Sequence, residues 1–360
     1  MKVYKLKIPY LQFVDVLINR GSKIIAPLAR PDKQGTAPSD NMHPLRFGVI
    51  KSAAETVAPD MYISTVRPAK EFLFPQTEPI VEYRYDNKEL SLSDPLRTFD
   101  EQIIIGLRPC DASAFSIIDD IFGYKFRDEF YLQRREKTTL ISVACEKTDE
   151  ACFCNSAGLS NTSVSGSDIM LVMAKDGYIQ ALADSERGQT LLEGLSGIAA
   201  EIPAPEEFSP VYSEAFNSLR AVLDTTLVKK SLDNNFDSPL WDTVSLQCLG
   251  CASCAYLCPT CHCFDIIDEN RYQKGLRRKN WDACQFPAFT LHASGHNPRD
   301  NQSKRYRQRM MHKFSYYEDR FNRMLCTGCG RCIRSCPVNI DIYSIAKQFG
   351  ELAPKTAEEN

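Results

Sequence analysis

Two cysteine runs near the C-terminal end of the chain have the spacing of iron–sulfur ligands. Each run reads C-x2-C-x2-C-x3-C-P, the spacing of bacterial ferredoxins that hold cubane [4Fe–4S] clusters. The runs begin at Cys248 and Cys326, and each ends in a Cys-Pro pair. Cysteines at intervals of three let a tight coil of backbone present three thiolates to three corners of one cube. The spacing therefore predicts two [4Fe–4S] clusters.

The fourth cysteine of each run predicts an exchange of ligands between these two clusters, because in two-cluster ferredoxins it binds the other cluster. One cluster is assigned to Cys248, Cys251, Cys254 and Cys336. The other cluster is assigned to Cys326, Cys329, Cys332 and Cys258. Zinc is the alternative for paired C-x2-C motifs, but it explains neither the third cysteine nor the Cys-Pro ending of each run.

Four more cysteines form a second group: Cys110, Cys145, Cys152 and Cys154. The first two each follow a predicted buried strand, at residues 102–107 and 138–144. Because the carboxyl ends of neighbouring parallel strands lie at one edge of a sheet, we expect these thiols to lie close together. The group predicts a third [4Fe–4S] cluster. The alternatives are a zinc ion, a redox disulfide, or ordinary buried cysteines without a cofactor.

Three cysteines remain outside these groups: Cys261, Cys263 and Cys284. We interpret them as packing beside the clusters. The alternative is a three-thiol site, with a fourth ligand from His262, Asp282 or a partner. No H-E-x-x-H pattern accompanies the histidines, so no residue is predicted to be catalytic.

The elements that must position these cysteines divide the chain into four parts. Strands alternating with helices predict an α/β domain over residues 1–200, in which Asp111 caps a helix that ends at Phe122. A linker and a helix, over 211–232, are predicted within residues 201–236. Residues 237–350 are predicted to be a mostly α-helical ferredoxin-like domain, because 67 residues separate the two runs. Its long insertion, 264–322, shows no clear strand, and 351–360 reads as a disordered tail.

Composition narrows the class of protein. The chain has 360 residues, 43% of them hydrophobic, and a net charge of -3. This is enough for two or three packed domains, and no strong global charge attracts the chain to nucleic acid or membrane. No secretory signal and no apolar stretch of membrane-spanning length are visible. Many cysteines in such a chain predict a cytoplasmic protein with metal cofactors rather than disulfides.

Residues 271–320 are basic, with 12 Lys or Arg against 4 Asp or Glu. A solvated surface is the ordinary interpretation. The alternatives are stabilisation of reduced clusters, docking of an acidic partner, or contact with nucleic acid, but no nucleic-acid-processing motif is present. No G-x-G-x-x-G or G-x4-G-K-[ST] phosphate loop occurs either. The chain is therefore predicted to have no flavin or nicotinamide site and to receive electrons from another protein.

Several short motifs together resemble a known family. They are Leu107-Arg-Pro-Cys110-Asp111, Val143-Ala-Cys145-Glu146, Cys152-Phe-Cys154, Cys258-Pro-Thr-Cys-His-Cys263, Trp281-Asp-Ala-Cys284, Gly295-His-Asn-Pro-Arg299 and Arg305-Tyr-Arg-Gln-Arg309. The chain resembles the iron–sulfur beta subunit of cytosolic nickel–iron hydrogenases of the sulfhydrogenase, or sulfur reductase, type. It is similar also to the A subunit of anaerobic sulfite reductase. The resemblance covers nearly the whole chain.

The resemblance implies an electron-transfer subunit of a multisubunit oxidoreductase. In that family a flavoprotein partner carries FAD and reacts with NAD(P)H, and the iron–sulfur subunit passes single electrons to a catalytic subunit. The resemblance does not distinguish between hydrogen, polysulfide and sulfite as the terminal substrate. The alternative is a self-contained enzyme in which Cys261, Cys263 and Cys284 form the working site.

Overall fold

The computed structural model describes residues 1–28, 45–86, 89–95, 98–174, 178–203 and 210–352. Its strands are β1 (Lys2–Leu6), β2 (Lys23–Leu28), β3 (Arg46–Ile50), β4 (Thr77–Asp86), β5 (Glu89–Ser93), β6 (Gln102–Leu107), β7 (Thr138–Val143), β8 (Ile169–Met173), β9 (Ile179–Ala183), β10 (Ala199–Ile202), β11 (Phe264–Arg271) and β12 (Lys274–Trp281).

The α-helices of the described residues are α1 (Tyr10–Asn19), α2 (Pro109–Gly123), α3 (Glu129–Glu136), α4 (Glu186–Glu193), α5 (Pro210–Asn217), α6 (Thr225–Asn234), α7 (Leu240–Ser245), α8 (Ser253–Tyr256), α9 (Gln302–Met311), α10 (Tyr317–Phe321), α11 (Arg331–Arg334) and α12 (Ile342–Glu351). A π-helical turn, His312–Tyr316, joins α9 to α10. No helix among these is long and apolar enough to cross a bilayer.

The chain folds into two compact units, whose boundaries differ from the predicted ones. The first unit contains Met1–Ala69, Asp100–Asp224 and Met324–Arg331. The second contains Lys70–Phe99, Thr225–Arg323 and Cys332–Asn360. The second cysteine run is therefore divided, with Cys326 and Cys329 in the first unit.

The first unit is built on an eight-stranded sheet with the order β10-β1-β9-β8-β7-β6-β2-β3. The central pairs β2–β6, β6–β7 and β7–β8 are parallel, and the outer pairs are antiparallel. Every residue of β6 and β7 is buried, as in strands covered on both faces. The isoleucine run Ile103–Ile105 thus lies in the core. The carboxyl ends of β6 and β7 lie side by side.

The helix predicted over 211–232 is two helices, α5 and α6, with a non-helical segment between them. Side chains from the first unit hold that segment: Asn155 Nδ2 donates to the Arg220 carbonyl at 2.7 Å, and Ser156 Oγ accepts from the Leu223 N–H at 3.0 Å. These hydrogen bonds take the place of the backbone hydrogen bonds that a continuous helix would make. The apolar periodicity of the sequence does not reveal such an interruption. Parts of the predicted linker and the tail, 204–209 and 353–360, lie outside the described residues.

The second unit contains an antiparallel sheet with the order β11-β12-β4-β5. Two of its strands, β11 and β12, form a hairpin inside the insertion, where no strand was predicted. All residues of β11 are exposed, so the strand has no buried apolar run that would mark it. Cross-strand ion pairs stabilise it instead, Arg277–Asp268 and Arg278–Glu269, each at 2.8 Å.

Candidate iron–sulfur sites

A cavity in the second unit brings together the first predicted ligand set. Cys248, Cys251, Cys254 and Cys336 all line it, and Cys332 lies in the same wall. Cys258 is not among the lining residues, although it closes the same run as the first three. Among the described residues, the thiols that join the first three here therefore come from the other run.

Left-handed backbone shapes both runs in the same way. Gly250 and Ala252 have φ of 65° and 60°, and Gly328 and Gly330, at the equivalent positions, have φ of 63° and 72°. Such residues turn successive N–H groups toward one side, which forms an anion-binding concavity. Ala252 holds this conformation without the freedom of glycine, at a cost of about 1–2 kcal/mol.

Polar groups of the second unit reach the sulfurs of this cavity. Gln302 Nε2 donates to Cys248 Sγ at 3.1 Å and to Gln285 Oε1 at 2.7 Å. The Ile340 N–H donates to Cys336 Sγ at 3.2 Å. Hydrogen bonds to the ligand sulfurs are one of the means by which a protein sets the reduction potential of a cluster.

Three buried cations stand among the cysteines of the second unit. Lys70, Arg309 and Lys313 are each no more than 3% exposed. Lys313 Nζ donates to Cys258 Sγ at 3.3 Å, and Arg309 Nη1 donates to Cys261 Sγ at 3.7 Å. The hydrogen bond from Cys261, and then the charges of these cations, hold the pKa of Cys258 well below its usual range.

One donor of this group has no acceptor. Arg309 Nη2 is buried and makes no hydrogen bond within the part of the chain that the structure describes. Its neighbours are the sulfurs of Cys254, Cys261, Cys332 and Cys258. An unsatisfied buried guanidinium N–H is costly, and an anionic iron–sulfur cluster supplies both the acceptor and the counter-charge. The residues present fit such a group.

Lys313→Met is expected to lower the reduction potential of the cluster to which Cys258 is assigned. The ammonium favours the more negative, reduced form, and its loss is expected to shift the potential by on the order of 50–100 mV, since about 59 mV corresponds to a tenfold change in a one-electron couple. Potentiometric EPR titration measures this shift. Lys304→Met, at an exposed lysine on α9 paired with Asp300, is the matched control. Equal potentials in the two variants would contradict the assignment.

The other ferredoxin-type ligand set is divided between the units. Cys258 and Cys332 belong to the second unit, and Cys326 and Cys329 to the first. Within the second unit, Thr260 Oγ1 lies 3.2 Å from Cys258 Sγ and 3.1 Å from Lys313 Nζ. A polar pocket therefore surrounds the Cys258 sulfur.

The first unit brings together the four N-terminal cysteines. Cys110 is in the first turn of α2, directly after β6, and Cys145 follows β7, so the two lie at adjacent strand ends. Burial raises the pKa of Cys110, as do Cys329 and Cys145 nearby. Burial raises the pKa of Cys154 to about 12, with Cys145 and Cys152 adding to it. Mutual proximity of thiols is what a shared cluster requires.

No three His, Cys, Asp or Glu side chains in the described ranges converge tightly enough to hold a single metal ion. This disfavours a zinc site in either unit. A cubane has four irons, each bound by one cysteine, so its ligands surround it rather than converge on one point.

The loop of Cys152 and Cys154 packs on the start of the second run within the first unit. The Phe153 N–H donates to the Gly328 carbonyl at 2.9 Å. A Cβ on Gly328 would lie 2.4 Å from the Phe153 carbonyl and 2.5 Å from the Cys154 nitrogen. Only glycine fits here, because both contacts are with backbone.

Gly328→Ala is therefore expected to disrupt the N-terminal site and to cost about four iron atoms per chain. Gly250→Ala is the matched control, because it has nearly the same φ and its Cβ would meet first a flexible side-chain atom, Gln302 Oε1, at 3.1 Å. Both variants carry the strain of a left-handed alanine, about 1–2 kcal/mol. Iron analysis compares them, and an equal loss from both would show that strain alone is responsible.

Buried arginines flank the N-terminal cysteines. Arg108 is 3% exposed and donates to backbone carbonyls, among them Ala144 at 3.1 Å. Arg331 pairs with Asp111 at 2.5 Å. Asp111 was predicted to be a helix cap, but the cap position is Arg108 and the carboxylate lies in this buried ion pair. The partner lies 220 positions along the chain, beyond the reach of a local pattern.

The remaining cysteines and two histidines also lie in the second unit. Cys261 contacts Cys258, and Cys263 contacts Cys284. Burial lowers the pKa of His262 to about 4, and burial followed by His262 lowers that of His312 to about 3. His262 Nδ1 lies 3.0 Å from the Thr260 carbonyl. Both imidazoles are therefore neutral near pH 7.

Sequence reasoning did not identify Gln302, Arg309 and Lys313 as individual contributors to these sites. A signal was present, because the three positions recur at about helical spacing and mark one face of α9 and the π-helical turn. The basic residues of 271–320 thus have two different environments. Arg277 and Arg278 are paired on the hairpin surface, and Arg309 and Lys313 are buried beside thiols.

Comparisons with known proteins agree with this geometry. Residues 247–340 match the family described as 4Fe-4S dicluster domain. Sulfhydrogenase 2 subunit beta of Pyrococcus furiosus is 28% identical over 298 residues, covering 81% of this chain and 85% of the relative. The chain is a homologue of this beta subunit. The resemblance to a sulfhydrogenase beta subunit predicted from the sequence is thereby confirmed, and the match over 247–340 supports [4Fe–4S] binding in the C-terminal part of the chain. No solved structure matches the chain.

Proposed function

We propose that the chain is an electron-transfer subunit that passes single electrons between a flavoprotein partner, which reacts with NAD(P)H, and a catalytic hydrogenase or sulfur reductase subunit. The observation that carries the proposal is the cavity in which Cys336 meets Cys248, Cys251 and Cys254. A [4Fe–4S] cluster exchanges one electron at a time and needs no substrate pocket. The relative named as a sulfhydrogenase subunit supports the choice of catalytic partner.

The N-terminal site extends this proposal to three clusters. Cys110 lies near Cys329, a predicted ligand of the second cluster, and both are in the first unit. The site is therefore adjacent to part of the ferredoxin-type pair. A series of neighbouring one-electron centres is what transport between two partners requires.

Reduction kinetics test this function. The anaerobic chain alone is expected to be reduced by dithionite but not by NAD(P)H, because no phosphate loop for a dinucleotide was found. Purification from the native host is expected to yield a flavoprotein together with a nickel–iron large subunit. Reduction of the lone chain by NAD(P)H, or turnover of hydrogen, sulfite or polysulfide by it, would show a self-contained enzyme instead.

The second candidate is the A subunit of an anaerobic sulfite reductase, because both families share the motifs that carry the resemblance, among them those around Cys258–Cys263 and Cys284. The same purification separates the two candidates. A sirohaem-containing partner identifies sulfite reduction, and a nickel–iron partner identifies hydrogen turnover.

A further inference from the structure

Cys263 and Cys284 form a thiol pair that no predicted cluster uses. They flank the hairpin of β11 and β12, with Cys263 directly before β11 and Cys284 three residues after β12. The Asp282 N–H donates to the Cys263 carbonyl at 3.0 Å, so the hairpin ladder continues one step beyond the Phe264–Trp281 pair. The hairpin therefore holds the two cysteine-bearing ends together.

The two side chains contact each other, and this contact is the largest cause of the raised pKa of Cys263 and of the lowered pKa of Cys284. Gln285 Nε2 donates to the same sulfur at 3.6 Å. Both thiols are half-buried. Cys284 also lies near Cys254, which lines the cavity of the first ferredoxin-type site, and near Arg309. The pair thus adjoins a predicted electron carrier.

A metal ion is a poor explanation for this pair. Cys261, Cys263 and Cys284 do not converge on one point, and no such group of three was found in the described segments. Two thiols in contact suffice for a disulfide, which needs close sulfurs and suitably spaced backbone. The hairpin keeps the two backbone segments that carry these thiols next to each other.

We propose that Cys263 and Cys284 form a reversible dithiol–disulfide couple that exchanges electrons with the adjacent iron–sulfur cluster. On oxidation the two thiols lose two protons to solvent and two electrons, and one S–S bond forms. The cluster that Cys254 and its fellow ligands would hold would accept the two electrons one after the other, passing the first on to a second oxidised cluster before it took the next. On reduction two electrons return and the bond opens. The proposal rests on the iron–sulfur function proposed above.

Such a couple would give the chain a two-electron store beside one-electron carriers. A nicotinamide gives up its two electrons together as a hydride, whereas each cluster takes one electron. The contact with Cys263, and after it the charge of Arg309, lowers the pKa of the Cys284 thiol and so favours the thiolate, the form that reacts in disulfide chemistry.

The test follows the thiol state of the whole chain, with its clusters, at a series of fixed potentials under anaerobic conditions. Each sample is denatured in excess alkylating agent and iron chelator, digested and examined by mass spectrometry. A peptide pair joined through Cys263 and Cys284 is expected to appear on oxidation and disappear on reduction, with the slope of a two-electron couple, about 29.6 mV per tenfold change.

Variants separate the thiol pair from the clusters. Cys263→Ser and Cys284→Ser are each expected to lose the cross-link and to keep the iron and sulfide content of the wild type. Absence of the cross-link at every potential at which the wild type keeps its iron would overturn the proposal. Loss of about four iron atoms from Cys263→Ser would do so too, because it would make Cys263 a cluster ligand.

Iron analysis of the wild type distinguishes the two proposals. If the wild type contains iron but never shows the cross-link, the electron-transfer proposal stands and the proposal of a thiol couple is overturned. A chain without iron overturns both.

Discussion

Cys336→Ala is expected to remove the cluster assigned to Cys248, Cys251 and Cys254, so that iron falls from about twelve to about eight atoms per chain. The reason is the cavity of the second unit, which Cys336 lines together with those three cysteines. EPR of the reduced protein identifies which cluster is lost. Cys336→Ala and Cys251→Ala are expected to lack the same signal, although the two residues belong to different runs.

A second pair of variants tests the exchange of ligands at the other ferredoxin-type cluster. Cys258→Ala and Cys329→Ala are expected to share the loss of a second, different signal. If Cys336→Ala lost the same signal as Cys329→Ala, each run would bind its own cluster, and the exchange would be wrong.

Cys154→Ala is expected to remove the N-terminal cluster and again to lower the iron content by about four atoms per chain. The signal of the Cys248–Cys336 cluster is expected to persist, because its ligands are all in the second unit. The signal of the cluster containing Cys329 is expected to lose a magnetic interaction, because Cys329 lies near Cys110.

Cys110→Ala is the matched variant and is expected to give the same spectrum as Cys154→Ala. A full iron content in both would show that these thiols bind no cluster. Conversely, loss of all iron would show that the first unit does not fold without the N-terminal site.

The strands beside the N-terminal site were predictable because they are buried on both faces. A continuous apolar run such as Ile103–Ile105 indicates such a strand directly, and parallel pairing then places Cys110 and Cys145 at neighbouring strand ends. The cysteine spacing likewise limited the possible ligand sets from the sequence alone. The same spacing gives the two ferredoxin-type coils the same backbone conformation, as at Gly250 and Gly328.

What was missed depends on long-range contacts or on exposed elements. The hairpin of β11 and β12 is polar and pairs with β4, almost 200 positions earlier in the chain. Asp111 has the residue type of a helix cap, yet its partner Arg331 is distant in sequence. Lys313 was one of many basic residues, and only the fold shows its ammonium at Cys258. Each of these depends on tertiary packing, which local patterns do not encode.

Iron and acid-labile sulfide analysis of the anaerobically purified wild-type chain tests the central claim most directly. The account predicts about twelve of each per chain, as three [4Fe–4S] clusters, with cubane signals in EPR after reduction. A value of about eight iron and eight sulfide per chain would show that the ferredoxin-type pair is present and the N-terminal cluster is not. Zinc in place of iron, or a chain with neither metal after cluster reconstitution, would contradict the electron-transfer account itself.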